Sequence, residues 1–70
     1  MKLKELLEIY KDNSMRVSIW GKNNLPFCEA TAKCHLETTP RLLNCKVLYD
    51  GLSNYENEIV VVINKKVRIY

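Results

Sequence analysis

The chain has 70 residues, 11 of them basic and 8 acidic, for a net charge of +3. Its hydrophobic fraction of 47% and charged fraction of 27% belong to a globular fold and argue against disorder. The charges are dispersed, six basic and four acidic over residues 1–35 and five and four over 36–70, which speaks against a dedicated nucleic-acid module with a clustered excess.

This length predicts a single domain over residues 1–70. A chain so short buries only about 60% of the surface its unfolded form exposes, so it tends to need a metal, disulfides, an oligomer interface or very regular packing. In the opening "MKLKELLEIYK", Glu5 and Glu8 interrupt the apolar run, so no secretory core of ~7–15 apolar residues forms. No run approaches the ~20 apolar residues of a membrane span. Three cysteines fit no disulfide framework, and the expected location is a reducing cytoplasm.

Leu3, Leu6, Leu7 and Tyr10 recur at i, i+3, i+4 and i+7 and predict an amphipathic helix, with Glu8 placed to pair with Lys4. An isolated helix of this length is marginal in water, so its apolar stripe must dock. "DNS" at 12–14 stops it. "MRVSIW" then alternates: Met15, Val17 and Ile19 point one way, Arg16, Ser18 and Trp20 the other, as in a half-buried strand. "GKNNLP" is a turn cluster in which Gly21 and two Asn tolerate positive φ.

"FCEATAKCH", residues 27–35, also alternates and is read as a strand. Cys28, Ala30, Ala32 and Cys34 share an inward face of small residues that lets the Leu-rich helix lie close. Phe27, Glu29, Thr31 and Lys33 share the other, and His35 becomes a surface residue at the strand end. "ETTPRLLN" predicts a short helical turn near residues 40–44, with Thr39 as N-cap, Pro40 at the first helical position and Asn44 as a left-handed terminator. "CKVLYD" reads as a strand and "GLSNYENE" as a polar loop. "IVVVI" at 59–63, apolar on both faces, is a central strand. A turn at Asn64–Lys65 would pair Val62 with Val67 and Val60 with Ile69; Lys is a poor second residue for it, and the alternative is one bent continuous strand. The expected fold is α+β: an N-terminal amphipathic helix packed on a four- to five-stranded, mostly antiparallel sheet.

The two cysteines and single histidine of the 27–35 stretch raise the question of a metal or nucleophilic site. On a strand, residues 34 and 35 face opposite sides, and Cys28 lies on the order of 20 Å from Cys34, too far to share one ion. No base is placed to activate a thiol, and no phosphate cradle or acid pair is evident. The sequence therefore predicts no catalytic residue, no metal site and no cofactor.

The outward sheet face carries the functional expectation. Arg16, Trp20, Phe27, Lys33, Arg68 and Tyr70 form its predicted binding surface, which combines residue types enriched at interfaces. Apolar residues on a face that one helix cannot cover predict a homodimer or the docking of another protein. The alternative is a single-stranded nucleic acid stacked on the aromatics.

"LKELLEIYKDNSMRVSIWGKN", "PRLLNCKVLYDG" and "NEIVVVI" together resemble small prophage-encoded accessory proteins of Gram-positive bacteria, built from a helix followed by a curled sheet. The resemblance implies a non-enzymatic intracellular protein of a mobile element that acts by binding a host or phage protein, in some cases a defence factor. It brings no functional residues with it.

Overall fold

The stripe of Leu3, Leu6, Leu7 and Tyr10 lies on helix α1 (Leu3–Tyr10), and its three leucines are buried. The computed structural model describes residues 1–52 and 57–68. The helix start is held from outside: the N–H groups of Leu3 and Lys4 donate to the carbonyls of Cys45 and Leu43, each at 2.9 Å. Glu5 reaches back to the Lys2 N–H at 2.9 Å. These bonds satisfy donors that a helix end leaves orphaned. Glu8 pairs with Lys11 at 3.2 Å, in place of the expected Lys4. At the far end Asn13 accepts from the Met15 N–H and turns the chain.

β1 (Arg16–Gly21) and β2 (Pro26–Thr31) form an antiparallel hairpin whose turn places Asn24 at φ 61°. α2 (Ala32–Thr38) follows directly, then β3 (Val47–Leu52) and β4 (Glu58–Ile63) make a second antiparallel pair. The strand order is β2-β1-β4-β3, and β1 and β4 run parallel. The fold is thus α+β with the N-terminal helix on the sheet, but one expectation is corrected. The sheet is mixed, not a meander, because its two hairpins join side by side through β1 and β4. Among the described residues it has four strands and no fifth. The "IVVVI" strand is central, as its two apolar faces predict, with Ile59, Val61 and Ile63 buried and Val60 and Val62 half-buried.

Both helices cover one face of this sheet. Leu3, Leu6 and Leu7 of α1, Ala32 of α2 and Leu42 of the following turn close over Val17, Ile19, Ile59, Val61 and Ile63. Burying each large aliphatic side chain contributes about 1.5–3 kcal/mol.

Four further expectations change. Thr39 closes α2 instead of opening a helix, its N–H and hydroxyl both donating to the His35 carbonyl. Residues 39–45 form two successive turns, Leu42 N–H to Thr39 and Cys45 N–H to Leu42, and the left-handed Asn residues are Asn24 and Asn57 rather than Asn44. A bulge between Val47 and Tyr49 reverses the alternation read from "CKVLYD", so Val47 faces the core and Tyr49 lies opposite Val62 on the open face. In the polar loop read at 51–58, Gly51 and Leu52 belong to β3, while residues 53–56 lie outside the described residues.

The hairpin expected at Asn64–Lys65 does not form. After Ile63 the chain crosses to the β1–β2 turn as a strap, residues 64–68. Its Lys65 carbonyl accepts from the Lys22 N–H at 2.9 Å. The Asn23 side chain grips Val67 in both directions, donating to its carbonyl at 3.0 Å and accepting from its N–H at 3.1 Å. Gly21 makes this crossing possible, since a Cβ there would stand 2.8 Å from the Lys65 carbonyl oxygen. A two-residue hairpin wants Gly or Asn at both central positions, and Lys65 offers neither. Of the residues that hairpin would have paired, Ile69 lies outside the described residues.

Leu7 has no exposed surface. Leu7→Ala is expected to lower stability by about 2–5 kcal/mol. That is a large share of the roughly 3.5–10 kcal/mol typical of a chain this size. Urea denaturation followed by circular dichroism measures it; a change below about 1 kcal/mol would contradict the packing of α1 on the sheet.

Candidate binding surfaces and the Cys28–His35 pair

The stretch "FCEATAKCH" is half strand and half helix. Thr31 ends β2 and becomes the N-cap of α2, its hydroxyl accepting from the Cys34 N–H at 3.3 Å. This overturns the reading of Cys28–Cys34 as one strand. The alternation there rests on Cys and Ala, which carry little hydrophobic weight, whereas Ala32, His35 and Leu36 hold the i, i+3, i+4 spacing of a helix and line its inner side. The Thr31 cap and that triplet were the signals in the sequence. Cys34 consequently sits exposed on the helix and not inside.

His35, expected at the surface, is 1% exposed. Its Nε2 lies 2.6 Å from the Val17 carbonyl oxygen, and its Nδ1 lies 3.7 Å from Cys28 Sγ. A carbonyl oxygen only accepts, so Nε2 carries the hydrogen. In the neutral ring Nδ1 is then an acceptor, and the Cys28 thiol is its donor. The imidazole thus ties α2 to β1 and β2 while leaving no buried polar atom without a partner among the described residues. Burial, and secondarily the neighbouring Cys34, push the Cys28 thiol up from its ordinary value. Cys28 is therefore held as a thiol, the opposite of the depressed thiolate that nucleophilic chemistry uses. Among the described residues no three His, Cys, Asp or Glu side chains gather where one ion could sit.

The predicted binding residues do not share one surface. Arg16 and Trp20 do lie on the open face of the sheet. Arg16 pairs with Glu29 at 2.7 Å, both side chains well exposed, so the bond adds little stability. The Trp20 indole N–H donates to Ser18 Oγ at 2.7 Å and folds the ring along its own strand. Lys33 lies on α2, away from the sheet. Phe27 is turned by a register shift beside Trp20 and packs against the core. Arg68 lies on the strap, and Tyr70 falls outside the described residues.

Two further surfaces stand out among the described residues. The first is the outer edge of β3. Its start is covered by the N-terminus, Val47 N–H donating to the Met1 carbonyl at 2.8 Å. Beyond that point Leu48, Tyr49 and Leu52 are 50%, 60% and 82% exposed. The Tyr49 ring lies over Gly51, where a Cβ would meet its hydroxyl at 2.7 Å, so glycine lets the aromatic lie along the strand. The second surface is a groove of about 710 Å³ where β2, the end of α2 and the strap converge, with Phe27 and Cys28 on one wall and Arg41, Lys65, Lys66 and Arg68 around it. Arg41 and Lys65 were missed because only the meeting of the turn after α2 with the strap brings both to Phe27.

Comparison with family models, curated proteins and solved structures finds no match for the chain. Among the described residues no helix is long and apolar enough to cross a membrane.

The thiol–imidazole pairing has a measurable signature. At neutral pH iodoacetamide is expected to alkylate exposed Cys34 well before Cys28, and Cys28 is expected to react only as the pH climbs past the ordinary thiol range. The folded chain holds the Cys28 proton more tightly than the unfolded chain. Its contribution to stability is therefore in place at neutral pH and lost as alkaline pH ionises the thiol. Mass spectrometry of tryptic peptides reads the order; equal rates at Cys28 and Cys34 at pH 7 would contradict the pairing.

Proposed function

We propose that the chain is a small, non-enzymatic binding protein of the cytoplasm that works as a homodimer and acts by protein–protein contact on a host or phage protein, as the mobile-element accessory proteins it resembles do. The observation that carries the dimer is the outer edge of β3. Leu48, Tyr49 and Leu52 expose large apolar area along an edge strand whose ladder groups beyond Val47 face no other strand among the described residues. Natural sheets protect such edges with charge, proline or a covering element. Here the edge carries leucine and tyrosine, with Asp50 the only charge between Leu48 and Leu52.

A second copy suits this edge. Antiparallel pairing of β3 with its symmetry mate would join two four-stranded sheets into one and cover the same apolar residues on both partners. It would also relieve the thin core of a 70-residue chain, which has no disulfide to supplement it. The three cysteines held as thiols suit a reducing compartment. A non-enzymatic role is consistent with the protonated state of Cys28, the thiol closest to an imidazole.

Size-exclusion chromatography with light scattering, at tens of micromolar protein, tests the reading. The expected mass is twice the 8.2 kDa of the chain. Tyr49→Lys with Leu52→Lys is expected to return the monomer with an unchanged circular dichroism spectrum. A monomeric wild-type chain, or a dimer indifferent to the double substitution, would refute the β3 edge as the interface.

A further inference from the structure

We propose that the groove between β2, the end of α2 and the strap is a binding site for single-stranded nucleic acid, two or so nucleotides of which occupy it at a time. The site differs from the β3 edge in position and in chemistry. Four cationic residues, Arg41, Lys65, Lys66 and Arg68, line it, and no carboxylate does so among the described residues. The side-chain ion pairs found among those residues engage Lys11 and Arg16 instead. The chain's even distribution of charge in sequence is therefore concentrated in space, because the strap returns the C-terminal cations to the loop that carries Arg41. Four cations around one groove form a phosphate-attracting rim, since like charges this close disfavour one another unless an anion sits among them.

The walls between those cations are apolar. Phe27, Pro40 and Leu42 contribute, and Phe27 is displaced into this position by the register shift in the β1–β2 pairing. An aromatic wall beside a cationic rim is the combination that holds a base by stacking while its backbone phosphates meet Lys and Arg. The Thr38 and Thr39 hydroxyls also line the groove, but both donate inward, to the Cys34 and His35 carbonyls at 2.8 and 2.6 Å. A hydroxyl that donates in this way can still accept, from a base N–H or a ribose hydroxyl but not from a phosphate or carboxylate. A volume near 710 Å³ falls within the ~300–1,000 Å³ of ordinary ligand sites, which sets the number of nucleotides low. Affinity for a longer strand then comes from rebinding along it.

Asn23 is the positioning residue. It contributes no charge, yet its two bonds to Val67 hold the strap that carries Lys65, Lys66 and Arg68 beside Phe27.

Fluorescence anisotropy with 5′-labelled ten-nucleotide poly-uridine and poly-thymidine strands tests the assignment. Binding is expected at 50 mM salt, with log K falling against log salt at a slope of about −1.5 to −2, as roughly 0.7 per neutralised phosphate implies for the two or three phosphates that flank two nucleotides. Lys66→Glu and Arg68→Glu, both on exposed side chains, are each expected to weaken binding at least fivefold. Phe27→Leu keeps an apolar side chain against the core and is expected to weaken binding severalfold by removing the stack. Asn23→Ala is expected to weaken binding while leaving the net charge unchanged. No binding at 50 mM salt, binding indifferent to the two charge reversals, or equal binding of the Phe27→Leu chain would overturn the proposal. So would equal affinity for a ten-residue poly-glutamate peptide, which marks a site for acidic protein, or for uridine monophosphate, which marks a small-ligand site. The Tyr49→Lys, Leu52→Lys monomer is expected to retain binding of the ten-nucleotide strands, so failure of the dimer leaves this outcome readable on its own.

Discussion

Five side chains on the two central strands, Val17 and Ile19 of β1 and Ile59, Val61 and Ile63 of β4, form an apolar strip that must be kept from water. All five are 0–3% exposed. In a chain this short, with no disulfide, the cover over that strip supplies most of the stability available. α1 provides Leu3, Leu6 and Leu7, α2 adds Ala32, and the turn after α2 adds Leu42. The parallel pairing of β1 with β4 follows from the same demand. Each strand is apolar along its inner face, and placing them together makes one continuous strip instead of two narrow ones.

Closing that strip brings a polar group into the interior. His35 sits on the inner side of α2, and its ring is tolerated because both nitrogens have partners, the Val17 carbonyl and the Cys28 thiol. A buried imidazole with one nitrogen unmet would cost on the order of 1–3 kcal/mol. Satisfied, it fixes how α2 lies against the β1–β2 hairpin. Cys28 remains a thiol for a separate reason, since burial favours its neutral form. Reactivity and structural role exclude each other at this position.

The strap shows a second way in which a small fold gains a surface. Among the described residues no strand folds back onto β4 after Ile63, and the chain instead runs across the end of the sheet to the β1–β2 turn. The crossing depends on the absence of a side chain at Gly21 and on the Asn23 amide, which serves the Val67 backbone as a strand neighbour would. Three cations are carried to Arg41 and Phe27 by that route, and a mild overall charge becomes a local one.

The α1 stripe, the alternation of Val17 and Ile19, the turn before Pro26 and the central place of "IVVVI" were all legible in the sequence. Each is set by a period of burial against water, and that period is local in the chain. Residues 27–35 were ambiguous because Cys and Ala suit a strand or a helix almost equally. The decision fell to the Thr31 cap and to a carbonyl on β1 that the sequence does not place beside His35. The parallel central pair, the bulge that turns Tyr49 outward, the open edge of β3 and the groove were likewise decided only in three dimensions. They depend on which distant segments meet, and the energies that choose among those meetings belong to pairs of segments and not to any one of them.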